Sequence, residues 1–128
     1  MRERVGLLAY SPLAFGMLTG KYLNGAFPEN SRLGLFKQFT RYLSDRSYLA
    51  TEKYLDVARR HNLSFAQMSL AYVTNRPFTT SNIIGATTME QLEESLRALE
   101  IQFSEEELGR LDQIWPGPGG HAPEAYAW

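Results

Sequence analysis

Apolar positions along the chain fall into two kinds of pattern. The first is a short unbroken run. Gly6-Leu7-Leu8-Ala9-Tyr10 is apolar throughout and stops at Ser11-Pro12. Proline disfavours helix in the residue before it, so this spacing predicts a buried strand over 6–10. Asn82-Ile83-Ile84-Gly85-Ala86 is a second run of this kind and predicts a strand over 82–86. The other pattern is helical recurrence. Ala50, Tyr54, Val57, Ala58 and His61 share one face of a helix expected over 47–61. The next helix, expected over 64–75, is apolar nearly all round, which predicts deep burial, and Pro77 stops it. Met89, Leu92, Leu96 and Leu99 line one face of a third helix. Leu108, Leu111 and Trp115 line one face of a fourth, which Pro116 ends.

The helix starts carry their own signals. Ser64 with Gln67, Thr88 with Gln91 and Ser104 with Glu107 each fit a capping box. In such a box each side chain satisfies a backbone N–H that the helix start leaves free. Gly16, Gly20, Gly25 and Pro28 mark residues 12–30 as loop. Residues 31–44 are rich in aromatics and Leu, with Phe36, Phe39 and Leu43 near helical spacing, and read as a mobile or partly helical stretch.

The order is strand, long loop, two helices, strand, two helices. That alternation predicts an α/β fold with parallel strands. A two-stranded pair is marginal by itself and presents open edges, so residues 1–115 read as part of a larger architecture. Residues 116–128 are too rich in Pro and Gly to hold regular structure and read as a flexible tail.

Composition narrows the function. Hydrophobic residues make up 44% of the 128-residue chain, which suits a packed core. Thirteen basic side chains stand against 14 acidic ones, so no electrostatic footprint points to nucleic acid or to an anionic membrane. Without cysteine there is no disulfide frame, thiolate nucleophile or cysteine zinc site, a usage compatible with a cytoplasmic protein. His61 and His121 have no neighbouring ligand pattern, so no metal site is expected. Met1-Arg2-Glu3-Arg4 ahead of an apolar stretch superficially resembles a secretory leader. Glu3 and the interruption at Tyr10-Ser11-Pro12 argue against one, and no segment reaches membrane-spanning length.

Two segments carry candidate chemistry. Tyr10 to Tyr22 follows the first strand, at the strand end where α/β folds bind ligands. Its small residues could let backbone N–H groups approach an anion, with Ser11 adding a hydroxyl and Lys21 a charge. The same composition also fits an ordinary loop whose glycines only permit turning. Gly85-Ala86-Thr87-Thr88 runs from the second strand into a capped helix. That helix start suits a phosphate, or Thr88 simply caps it.

Together the two segments resemble the aldo-keto reductases, in the branch that includes potassium-channel β-subunits and related bacterial reductases. The resemblance rests on Leu8-Ala9-Tyr10-Ser11-Pro12-Leu13-Ala14-Phe15-Gly16 and Leu18-Thr19-Gly20-Lys21-Tyr22, with Ser31-Arg32 after Pro28. It rests equally on Ile83-Ile84-Gly85-Ala86-Thr87-Thr88 with Glu90-Gln91-Leu92 and Glu94. It implies a partial (β/α)8 TIM barrel, namely its last two strands with flanking helices. It implies NADPH as cofactor. Ser11, Leu13, Gly16 and Lys21 would hold the pyrophosphate. Arg32, Thr87, Gln91 and Glu94 would face the adenosine and its 2′-phosphate, and Tyr10 would stack on the nicotinamide. Many family members carry Arg where Gln91 stands and Asn where Ser95 stands. A preference for NADPH over NADH would then rest on Lys21 and Arg32.

The family's acid–base Asp, Tyr, Lys and His belong to earlier strands, so no catalytic residue is expected in this chain. A full barrel takes about 250 residues. Lys53, Tyr54, Asp56 and His61 have the right side chains. However, Tyr54 and His61 fall on the apolar helix face, whereas Lys53 and Asp56 point elsewhere. Three readings follow. In one, the chain is the C-terminal, NADPH-binding portion of an aldo-keto reductase, inactive alone and binding cofactor weakly. In another, it is a non-catalytic nucleotide-binding or self-assembly module. In the third, it is a shortened reading frame or a proteolytic remnant. The two open strands are expected to pair with a second copy, giving a homo-oligomer; the alternative is a monomer in which the 31–44 segment or the tail folds back over the sheet.

Overall fold

The structure, a computed structural model, describes residues 5–115. The expected tail over 116–128 lies outside them. Strand β1 (Leu7–Tyr10) leads into two 3-10 turns, Ala14–Thr19 and Leu23–Gly25, and the short helix α1 (Arg32–Leu35). Helices α2 (Asp45–Arg60) and α3 (Phe65–Thr74) follow, then β2 (Thr79–Ile83), α4 (Met89–Arg97), a 3-10 turn at Ala98–Glu100, and α5 (Glu105–Ile114). The strands pair in parallel, as the element order requires, with Ala9 opposite Asn82 and Tyr10 opposite Ile83. This is an α/β unit with a two-stranded parallel sheet.

The second strand lies three residues earlier than the apolar run implies. Its first half, Thr79-Thr80-Ser81, is polar and hides from a hydrophobic pattern. Its end is set by its partner. After Tyr10 the chain enters a left-handed turn at Ser11 (φ 58°), so beyond Ile83 no β1 residue remains to pair. Asn82 belongs to the helix-facing side: its amide donates to the Leu70 carbonyl (3.3 Å) and to Thr74 Oγ1 (2.7 Å) of α3. Ala9, its register partner, is half-buried with it. The strands are not buried as expected, however. Leu8, Tyr10 and Ile83 on the opposite face are 61%, 69% and 47% exposed.

Two apolar clusters form the core. Ala58, Phe65, Met68 and Leu111 join α2, α3 and α5, with Tyr54, Tyr72 and Phe103 packed around them. Met17, Tyr22 and Leu33 form the other, covered by Phe15, Phe39, Tyr42 and Tyr48. The stretch over 31–44 is therefore neither loose nor folded over the sheet. Its aromatics seat on the loop after β1. Helix α3 is deeply buried as predicted. Helix α4 buries none of its residues, and Met89, Leu96 and Leu99 remain exposed. His61 departs from the apolar-face reading. It sits just past the last turn of α2 and is exposed, with Nδ1 3.8 Å from the Glu107 carboxylate. Among the described residues no helix is long and apolar enough to cross a membrane.

Polar clamps bind α3 to the segment that leads into α5. Asn75 donates to the Ile101 carbonyl (3.0 Å) and accepts from the Phe103 amide (3.1 Å). Asp112 accepts from the Tyr72 hydroxyl and pairs with Arg76 at 2.5 Å, while the Arg76 guanidinium lies 4.2 Å from the Tyr72 ring centroid. Partial burial pushes the Asp112 carboxyl up, but hydrogen bonds from Tyr72 and Arg76 outweigh it and hold the group below its ordinary range. A depressed folded-state pKa stabilises the fold above the unfolded value and loses that contribution as pH falls. The Asp112 side chain is 46% exposed, so solvent screening limits the contribution to about 1 kcal/mol. We expect Asp112→Asn to lower the melting temperature at neutral pH. The deficit should shrink as pH falls below about 4, where the wild-type carboxylate protonates. Thermal melts across that range check it, and a deficit that does not vary with pH excludes the ionic origin.

Candidate functional site

The loop after β1 holds its shape through bonds to itself. The Ser11 carbonyl accepts from the Ala14 amide (2.9 Å), and Ser11 Oγ accepts from the Phe15 amide (3.3 Å). The Leu13 carbonyl accepts from the amides of Gly16 (2.8 Å) and Leu18 (3.2 Å). Ala14, Phe15 and Gly16 all take positive φ, a costly conformation for the two that are not glycine. At Gly16 (φ 95°) a Cβ would lie 2.7 Å from Lys21 Cε, so only glycine lets the lysine lie across the loop.

Tyr22 ties this loop to α1. Its ring is fully buried. Its hydroxyl donates to the Phe15 carbonyl (3.4 Å) and accepts from the Leu33 amide (3.2 Å). Ser31 caps α1, accepting from the Gly34 amide (3.2 Å) and donating to the Pro28 carbonyl (2.6 Å). Arg32 is thereby placed over the Phe15 ring, its guanidinium carbon 5.3 Å from the centroid. Two cations thus stand on one loop framework.

The facing wall grows from β2 and from the starts of α3 and α4. Thr88 caps α4, its Oγ1 accepting from the Gln91 amide (3.3 Å). The other half of the predicted box is displaced by one residue. Gln91 Oε1 accepts from the Thr87 amide (3.0 Å) and the Thr87 hydroxyl (3.1 Å), which closes the turn before the helix. The Ser104–Glu107 box is complete. The Ser64–Gln67 box is absent, and the Ser64 hydroxyl donates to the Glu94 carboxylate.

Between the walls lies a cleft of about 600 Å³. Every residue singled out from the sequence as a candidate binder lines it. Tyr10, Ser11, Leu13, Gly16, Lys21 and Arg32 come from one wall, and Thr87, Gln91 and Glu94 from the other. Phe15, Ser64 and Phe65 also line it and were missed. Phe15 lay within the recognised motif, but nothing marked its ring as the platform for Arg32. Ser64 was read as a cap.

The anion cradle differs from the expected one. Amides of Ala14, Phe15, Gly16 and Leu18 already donate within the loop. Beside any other N–H, the loop offers an anion the Ser11 hydroxyl hydrogen and the two cations. This donor set fits phosphate groups, with Arg able to grip two oxygens and Lys acting as a point charge. Lys53, Tyr54, Asp56 and His61 do not line the cleft. Burial, with Tyr72 and Asp112 nearby, pushes the Tyr54 hydroxyl up to about 12, against only partial relief from Arg76. That shift runs opposite to what proton donation near neutral pH needs. Among the described residues, no three His, Asp or Glu gather as a metal site would require.

Residues 2–116 match the family model described as Aldo/keto reductase family. The chain belongs to this family. It is 49% identical over 112 residues to "Protein tas" of Escherichia coli (strain K12), covering 88% of this chain and 32% of that protein. It is 40% identical over 124 residues to "Uncharacterized oxidoreductase YrpG" of Bacillus subtilis (strain 168), covering 97% and 36%. "L-glyceraldehyde 3-phosphate reductase" of E. coli (strain K12) is 40% identical over 117 residues, covering 85% and 33%. The chain spans about a third of the length of these curated relatives. Among aldo/keto reductase segments with this loop, Tyr22 is the test of how the cleft is held. Tyr22→Phe keeps the ring but leaves the Leu33 amide unpaired. It should cost about 1–3 kcal/mol of stability, read by denaturant unfolding. A loss within error of zero would show that the hydroxyl does not hold α1 to the loop.

Proposed function

We propose that this chain forms the seventh and eighth strands of an aldo/keto reductase barrel and the NADPH phosphate- and adenosine-binding part of such a reductase. The observation that carries the reading is the convergence of two segments distant in sequence on one cleft with Lys21, Arg32 and Ser11 on one wall. The second wall adds the start of α4, whose dipole favours an anion. In this reading Ser11 and Lys21 bind the pyrophosphate, and Arg32 meets the 2′-phosphate from its place over Phe15. Thr87, Gln91 and Glu94 border the adenosine, and Tyr10 offers its exposed ring face to the nicotinamide. When bound, NADPH supplies the hydride for reduction of a carbonyl. Binding and orientation are the work of these residues. The acid–base set of the family is not assigned to any of them, so the chain alone is proposed to be inactive.

Each charge-assisted contact contributes about 1.5–3 kcal/mol before ordering costs, so the 128-residue chain should bind NADPH with a Kd of about 0.1 mM or weaker. Lys21→Ala should weaken binding by roughly tenfold or more. Titration calorimetry or amide chemical-shift titration measures both. Tight binding indifferent to Lys21 would remove the pyrophosphate role.

The exposed sheet favours a second reading alongside the first. Leu8, Tyr10 and Ile83 lie open on one sheet face, and both strands have an unpaired edge. Burial of each such side chain contributes about 1.5–3 kcal/mol, and open edges template strand addition. As a separate 128-residue chain the protein should therefore self-associate, with two-fold pairing through β1 and β2. Light scattering at tens of micromolar reads the mass, and a monodisperse monomer would overturn this reading.

A further inference from the structure

Arg32 is held at both ends. Its backbone is the first residue of α1, and its guanidinium lies over the Phe15 ring, 5.3 Å from the centroid. One hydroxyl reaches both supports. Tyr22 Oη accepts from the amide of Leu33, the residue after Arg32, at 3.2 Å. It donates to the carbonyl of Phe15, the residue beneath the guanidinium, at 3.4 Å. Among the described residues, the bond to Leu33 is the one hydrogen bond that joins α1 to the loop after β1. Tyr22 itself is fully buried and does not line the cleft. Lys21, the other cation, is placed differently. It lies across the space that Gly16 leaves, 5.5 Å from the Tyr22 ring centroid. Those contacts involve the ring of Tyr22 and not its hydroxyl.

We propose that the Tyr22 hydroxyl positions Arg32 and thereby sets how strongly the cleft prefers NADPH to NADH. This inference rests on the reading of the cleft as a dinucleotide site with Arg32 at the 2′-phosphate. The two cofactors differ only in that phosphate. An arginine on an untethered four-residue helix would sample many rotamers, and ordering them would offset part of each contact it made. The hydroxyl fixes the backbone beside Arg32 and the residue whose ring supports it. The planar fork is therefore aimed before the ligand arrives. Arg32 meets the phosphate. Tyr22 acts through it from outside the cleft.

Chemical-shift titration of the 128-residue chain with NADPH and with NADH is the test. Wild type should bind NADPH about tenfold or more tightly than NADH, the size of one charge-assisted contact. Tyr22→Phe keeps the ring. It should cut the preference to about threefold or less by weakening NADPH, with NADH changed by less than about twofold. Arg32→Ala should abolish the preference, and adding Tyr22→Phe to it should cost no further affinity, because the two side chains act as one unit. Asp112→Asn, destabilised away from the cleft, should keep the preference. Equal weakening of both cofactors by Tyr22→Phe would mark a merely structural role and overturn the inference. So would an unchanged preference, a further loss of NADPH affinity in the double variant, or a lost preference in Asp112→Asn. Each of these leaves the dinucleotide reading standing. If Tyr22→Phe does not fold, side-chain relaxation of Arg32 Nε in the ligand-free wild type decides: an ordered guanidinium supports the inference and a mobile one overturns it. If wild type binds neither cofactor, the dinucleotide reading fails and the inference falls with it.

Discussion

The buried hydroxyl of Tyr22 governs how the loop wall of the cleft is built. It is the polar tip of a fully buried ring, and inside a packed cluster such a group must be paired. Its two partners, the Phe15 carbonyl and the Leu33 amide, belong to segments with no other regular structure to bind them. One contact fixes the left-handed turn that carries Phe15 and Gly16. The other fixes α1, and with it Arg32. Lys21 is the neighbour of Tyr22 in sequence and lies 5.5 Å from its ring centroid, across the space that Gly16 leaves. The two cations of the cleft are therefore placed by one side chain that does not itself line it.

The loop amides show what that arrangement excludes. A loop rich in small residues suggests free N–H groups for an anion. Here the left-handed turn uses those N–H groups on the Ser11 and Leu13 oxygens. Strain at Ala14 and Phe15 is offset by these bonds and by the aromatic packing of Phe15 on Phe39 and Tyr42, with ring centroids 5.4 and 5.2 Å apart. Those four amides are not free to meet an anion, whereas the Ser11, Lys21 and Arg32 side chains line the cleft.

Much of this was legible in the sequence. The element order, the parallel pairing and the membership of the cleft follow from the strand runs, the helical faces and the two motifs. What was illegible depended on contacts between distant residues. The polar half of β2 is a strand only because β1 lies beside it, and Asn82 sits there because α3 presents a carbonyl and a hydroxyl to it. Ser64 and Gln67 satisfy the local rule for a capping box, yet the Ser64 side chain caps nothing and its hydroxyl donates to Glu94, thirty residues away. His61 continues the helical spacing of an apolar face, but the helix ends just before it, so it turns to solvent and Glu107. Burial of the strands was misjudged for the same reason. An apolar run says that a segment wants cover without saying whether these residues supply it.

The two clusters explain how an uncovered sheet coexists with an assembled cleft. The helical cluster joins α2, α3 and α5, and the loop cluster joins the turns after β1 with α1 and the aromatics beyond it. Neither includes a strand residue. The segments that carry Lys21, Arg32 and Ser64 are thus anchored by packing that does not need the sheet to be closed. Tyr10 and Ile83 also line the cleft, but they belong to strands whose open face lacks cover. The cleft accordingly has a part held by cores and a part held only by the pairing of two short strands. Local opening costs least where few apolar contacts are buried, so motion should concentrate at the strand part and at α4, which buries none of its residues, while the loop wall with Lys21 and Arg32 stays fixed.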